Sequence, residues 1–473
     1  MQERQAVLHA LCLTSRDLYA HCLPLLYQRI QWLWEEAALV DVGPPLKFTL
    51  LLRTLLTRPD LVGLVQYIHL NHWNLARRFE SLSLVRAHFT PHELAIFTTA
   101  VSRILGPQND STKYGEHELE VVAAVAMSLM QGLRSITLVG DSETDIHDGQ
   151  MHPLHFWEKM GLALCDDSLR RHGNYSIPAE VAPAKILAML ETLEIIHSIP
   201  ASFMPSFCIP TLRNLKLATS RVAHLRDILP CVPNLETLGF TLMRDATGGP
   251  QSDGSGSWVD ADELHRIIIA APCSQRLRRL AVEIYWFSGA SPEMSAFLEW
   301  GNWINFRCGI HGSLGPLTEL RSLETLETSI SMLLGWRHTS WESADLGSML
   351  PVALKKLRIG HELYMFDMEF LWEEPALMGL LENLLSVRGK GAADRQQIQH
   401  AHIEARVVGL EEVVVLDELR PIDLLNPDDG WEPRFEPEEI EQLKACSERW
   451  GVTFLIQTRK QKAERLFRKA FGS

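Results

Sequence analysis

Leu190-Glu191-Thr192-Leu193-Glu194-Ile195, Leu212-Arg213-Asn214-Leu215-Lys216-Leu217 and Leu235-Glu236-Thr237-Leu238-Gly239-Phe240 are three copies of one pattern, with apolar residues at its first, fourth and sixth places. Side chains of a strand alternate between two faces, so the fourth and sixth places point the same way. A unit this small cannot bury its apolar face alone and needs a neighbour stacked on it. Leu193 and Leu215 lie 22 residues apart, and Leu215 and Leu238 lie 23 apart. Five more stretches share the spacing: Leu133/Ile136/Leu138, Leu277/Leu280/Val282, Leu323/Leu326/Thr328, Leu354/Leu357/Ile359 and Leu410/Val413/Val415.

Repeats of roughly 20–29 residues with this pattern are leucine-rich repeats. The sequence therefore predicts an α/β fold, an irregular solenoid of parallel strands and helices. Outside the central pair the intervals are 57, 42, 46, 31 and 56 residues, so either further strands are hidden between the units or the connections carry insertions. The Asn or Cys expected eight places after the first Leu is replaced by Asp141, Ser198, Ser220, Met243, Tyr285, Ser331, Glu362 and Glu418. Next to the first Leu stand Arg134, Glu191, Arg213, Glu236, Arg278, Glu324, Lys355 and Glu411, with the sign alternating at every step. Strands stacked in register in this order would bring opposite charges to about 4.8 Å spacing, and each exposed pair would contribute at most about 1 kcal/mol.

The chain has 473 residues, 46% of them hydrophobic and 22% charged, enough for a substantial core. Its length exceeds a typical compact domain, which a repeat array tolerates because each unit touches only its neighbours. Forty-five Lys and Arg against 59 Asp and Glu give a net charge of −14. That balance argues against general nucleic-acid binding, which needs concentrated positive charge. The basic stretch Arg459, Lys460, Lys462, Arg465, Arg468 and Lys469 reads as a solvated face. Eight scattered cysteines without a C-x-x-C pair, and no basic-then-apolar leader, point to reduced thiols and a cytoplasmic or nuclear location. The most apolar stretch, Val121 to Met130, is too short to cross a bilayer.

Residues 1–62 read as helical, with Pro24, Pro44, Pro45 and Pro59 as breaks. Residues 63–132 read as a mainly helical connector with one strand at Val65 to Leu70, and repeats are expected over 133–460. A helix from Pro437 to Trp450, closed by Gly451, should lead into a last strand at Val452 to Ile456, and a basic tail follows over 461–473. Gly248 to Ser257 and Leu425 to Pro437 read as irregular connections.

Leu8 to Ile30, LHALCLTSRDLYAHCLPLLYQRI, resembles the second half of an F-box, as found in fungal F-box and leucine-rich repeat proteins. Leu11 and Leu13 precede Ser15-Arg16, and Leu23-Pro24-Leu25-Leu26-Tyr27 follows. Arg53 to Leu70 is similar to the segment such proteins place between F-box and repeats. The resemblance implies a helical F-box-like cap and a substrate-recognition subunit of an SCF-type ubiquitin ligase. It also implies contact with a Skp-type adaptor through Leu11, Leu13, Leu25, Leu26 and Tyr27. An F-box normally opens with a Leu-Pro pair and an apolar helix, and only seven residues precede Leu8 here. The expectations are therefore two, a ligase subunit or a binding scaffold, an F-box relic without ligase association, whose helices only cap the open end of the repeats.

Chemistry has less support. Ile136 to Ser142 resembles the strand and Gly-Asp-Ser turn of GDSL-type esterases, and Asp262-x-x-His265 has the spacing of their late base. The oxyanion-hole Gly and Asn that such an enzyme needs are missing between them, since Gly301-Asn302 comes later. His88 and His92, and His147, His152 and His155, lack a companion ligand cluster, and no phosphate-binding Gly loop occurs. The expectation is a protein without catalytic residues, cofactor or metal, binding other proteins. The residues flanking the inward positions, Glu194, Asn214, Lys216, Arg279, Glu283, Glu327, Lys356, Arg358 and Glu412, should form its concave binding face. Trp286, Trp336 and Trp341 follow strands and could anchor a partner.

Overall fold

In a computed structural model of the protein, the described residues are 2–32, 51, 53–55, 57–71, 90–92, 94–95, 130, 132–139, 189–196, 209–219, 221–245, 257–287, 308–335, 346–360, 379–385, 410–417 and 437–458. The chain is α/β and divides into two compact units, Met1–Thr219 with Pro230–Asn234, and Ser220–Leu229 with Leu235–Ser473. The first unit opens with helices α1 (Gln2–Cys12) and α2 (Arg16–Gln28), followed by strand β1 (Arg29–Trp32) and the short helix α3 (Pro59–Val62). Strands β2 (Tyr67–Asn71), β3 (Ser135–Val139), β4 (Thr192–Ile196) and β5 (Asn214–Thr219) complete it. All five strands run parallel, each paired with the next in chain order.

The second unit contains α4 (Val222–Ile228), β6 (Thr237–Asp245), β7 (Ser257–Asp260), α5 (Ala261–Ala270), β8 (Arg279–Phe287), β9 (Cys308–His311) and β10 (Thr325–Ser329). Then come α6 (Ile330–Leu334), α7 (Leu346–Met349), β11 (Lys356–Gly360), β12 (Glu412–Asp417), α8 (Pro437–Arg449) and β13 (Thr453–Thr458). Its sheet is again parallel, in the order β6, β8, β10, β11, β12, β13. β7 and β9 pair only with each other, also in parallel.

All eight stretches singled out by spacing are strands, and their registers align the motif. Leu193 faces Leu215, Leu238 faces Leu280, and Leu326 faces both Leu280 and Leu357. These residues, with Leu133, Leu212, Leu323 and Leu354, are buried, and each full burial contributes roughly 1.5–3 kcal/mol. Within each unit the strands of consecutive motifs pair directly with one another across the long intervals, and among the described residues the two strands that fall between motifs, β7 and β9, form their own pair.

Two helical readings are corrected. Arg29–Trp32 was expected to be helical and is strand, because Tyr27, Ile30 and Trp32 repeat the motif spacing and β2 supplies a partner. Pro24, expected to break a helix, lies inside α2. Pro59 does start a helix, where its missing N–H costs nothing. At the far end Gly451 takes φ +66°, a left-handed turn that joins α8 to β13 as expected.

Candidate docking faces

The heads of the strands are tied by one device. In most pairs the carbonyl beside the first apolar place accepts two N–H groups from the next strand, whereas Gln28 O and Glu411 O each accept one. Gln66 O takes those of Arg134 (2.8 Å) and Ser135 (3.0 Å), Glu236 O those of Arg278 (2.8 Å) and Arg279 (3.0 Å), and Glu324 O those of Lys355 (2.9 Å) and Lys356 (3.0 Å). The alternating charges therefore sit on adjacent strands, and Arg134 pairs with Glu191 at 3.5 Å and Lys355 with Glu324 at 3.6 Å. Gln28 Nε2 donates to Gln66 Oε1 at 3.2 Å in the same row. A second brace lies one residue before the motif. The Asn234 amide donates to Pro210 O (2.7 Å), the Thr211 hydroxyl to Leu190 O (2.9 Å) and the Ser322 hydroxyl to Gln275 O (2.7 Å). The sequence reading looked for a polar ladder after the strand; these polar residues brace the chain before it.

Opposite the buried rows, the side chains between the inward places make a polar face. In the first unit, Glu194 takes the Lys216 ammonium at 3.1 Å on Oε1 and the Thr137 hydroxyl at 3.5 Å on Oε2, while Asn214 donates to Thr192 at 3.2 Å. His69 lies in register with Thr137 and so joins this row, a residue the sequence reading did not single out. Burial lowers its pKa, against the pull of Glu194 and with the help of Arg29. The register that places it there, Val65/Ile68/Leu70, has the motif's own spacing and was its available signal.

In the second unit four of the named residues form a network. Arg358 lies between Glu327 at 3.6 Å and Glu412 at 4.0 Å, and Lys356 pairs with Glu412 at 3.3 Å. Arg358, Glu327 and Glu412 are only 18–22% exposed, so these charges are half-sunk and mutually neutralised. Glu283 is half-buried on β8, and Arg279 is exposed on the same strand. Trp286 lies in β8, whereas Trp336 and Trp341 fall outside the described residues.

On the N-terminal helices, Ser15 caps α2 by accepting the Leu18 N–H at 3.1 Å, and Thr14 donates to Leu11 O at 2.8 Å. The tight turn leaves Leu13 75% exposed and Leu25 47% exposed, with Val7, Leu18 and Tyr19 also open. Leu11, Leu26 and Tyr27 are half-buried. Burial raises the Tyr27 pKa, and Tyr19 adds to the rise.

The esterase-like residues do not gather. Ser142 and Asp141 lie outside the described residues, as do His88, His147, His152 and His155. Asp262 Oδ1 accepts the Ser313 N–H at 2.9 Å, and His265 Nδ1 lies 2.7 Å from Leu314 O, so both hold the loop after β9 against α5. Because a carbonyl only accepts, His265 carries its hydrogen on Nδ1. Among the described residues no three His, Cys, Asp or Glu side chains group as metal ligands, and no helix is long and apolar enough to cross a membrane. No known family model matches the chain, and no curated protein matches it.

Proposed function

We propose that the chain is an irregular leucine-rich repeat solenoid with an F-box-like helical start, and that it recognises a substrate protein for an SCF-type ubiquitin ligase. What carries the reading is the exposure along α1, α2 and the turn between them. Five large apolar side chains, Val7, Leu13, Leu18, Tyr19 and Leu25, stand open there, where water contact is unfavourable and a partner would cover them. Two of them, Leu13 and Leu25, are residues that the F-box resemblance assigns to the adaptor. The strand order and the aligned motif support the solenoid part, and the polar sheet faces supply a surface for the substrate. Ser142, Asp262 and His265 have no catalytic part in this reading.

The test is co-purification of the chain with a Skp-type adaptor, wild type beside Leu13→Asp/Leu25→Asp. The wild type should retain the adaptor and the double variant should lose it, with unchanged thermal unfolding because both sites are exposed. Failure of the wild type to bind leaves the alternative, a binding scaffold without ligase association.

A further inference from the structure

We propose that the face of β6, β8 and β10 in the second unit takes an acidic, extended segment of a protein partner, with Arg279 meeting its carboxylate. This rests on the reading of the sheet face as a docking surface and names what docks there.

Most charges named on the sheet face of the second unit are already committed. Glu327, Arg358, Glu412 and Lys356 neutralise one another within 4.0 Å. Arg279 is exposed, and among the described residues its side chain makes no hydrogen bond or ion pair. A guanidinium presents five N–H donors in a planar fork, the geometry that a carboxylate accepts bidentately.

The surroundings complete a recognition site. Register places Thr237 on one side of Arg279 and Thr325 on the other, so hydroxyls flank the guanidinium on both neighbouring strands. In the next row Gly239 stands opposite Ala281, neither with a side chain beyond Cβ, and Glu327, committed to Arg358, follows on β10. The floor beside Arg279 is therefore low on the β6–β8 side, which lets an extended backbone approach the sheet there. Thr241 and Glu283 follow in register. The site thus matches an extended segment with one acidic residue. A single guanidinium matches the single charge of a carboxylate better than the nearly double charge of a phosphate. A nucleic-acid strand, which would need a row of such cations, fits worse still.

The experiment is selection of a displayed random peptide library on the full chain, with wild type and Arg279→Gln in parallel and folding checked by thermal unfolding. Wild type should enrich peptides with Asp or Glu at one place, and those peptides should bind Arg279→Gln about tenfold more weakly and Arg279→Lys with part of that loss. Recovered peptides that lack acids, or that bind Arg279→Gln equally well, overturn the proposal. A further variant, Ala281→Trp, raises the floor and separates the two readings. Non-acidic peptides lost on Ala281→Trp leave the docking face standing and remove the role of Arg279. Peptides indifferent to both variants, or no recovery at all, remove both.

Discussion

Thr328 occupies the sixth place of its repeat, where the other strands carry Ile195, Leu217, Phe240, Val282, Ile359 and Val415. It is 1% exposed, register sets it between Val282 and Ile359, and its hydroxyl finds no hydrogen-bond partner among the described residues. A buried hydroxyl without a partner costs roughly 1–3 kcal/mol, and a methyl in its place gains up to about 0.8 kcal/mol of burial. Thr328→Val keeps the shape of the side chain and its β-branch, so little repacking offsets the gain. The variant should be more stable by about 1–2 kcal/mol. The second unit, Ser220–Leu229 with Leu235–Ser473, has about 250 residues, for which each kcal/mol moves Tm by roughly 2–4 °C. Scanning calorimetry should therefore show the unfolding of that unit raised by about 2–8 °C, while Thr325→Val on the opposite face leaves it nearly unmoved. A Tm that is unchanged or lowered in Thr328→Val would refute the reasoning, because it would mean the hydroxyl is satisfied in the native state.

Three further outcomes follow from other sites. Burial, with Arg221 assisting, pushes the pKa of His224 on α4 down to about 4 from an ordinary 6.5. The unfolded chain then binds the proton first as pH falls, so stability is full above pH 6.5 and is lost progressively towards pH 4, by up to about 3 kcal/mol; His224→Leu should flatten that slope in Tm measured against pH. Gly312 holds φ +69°, and a Cβ there would overlap the Asp262 carboxylate that accepts the Ser313 N–H. Gly312→Ala should cost about 2–4 kcal/mol in urea unfolding, and a cost below about 0.5 kcal/mol would contradict the loop geometry. Removing the central cation by Arg358→Met takes away the guanidinium between the half-sunk Glu327 and Glu412, while Glu412 keeps Lys356, at a cost of about 1–3 kcal/mol, and adding Glu327→Gln should recover part of it.

The fold was legible wherever one physical rule acted alone. Period-two alternation with a fixed offset marks a strand whose one face is buried, and the eight stretches singled out by it are all strands. The alternating charges beside Leu133 through Leu410 carried information on order that Leu spacing alone lacks. Within each unit they stand on directly paired strands, and two of the predicted pairs close at 3.5 and 3.6 Å. What stayed hidden involves competing rules. Tyr27, Ile30 and Trp32 have the strand offset but follow directly on a Leu-rich helical pattern, and where the helix ends Gln28 O accepts the Gln66 N–H from the residue before β2. That contact spans 38 residues and leaves no local trace.

The docking faces were legible as positions but not as charges. Register follows from the motif, so Glu327, Arg358 and Glu412 could be assigned to one face, yet whether they meet a partner or one another depends on side-chain reach. Arg358 shows the difference. A charge reversal there would set a third carboxylate beside Glu327 and Glu412, both half-buried, where screening by solvent is weak. The informative probe is instead the charge that the sheet does not use, and among the named residues of the second unit that is Arg279.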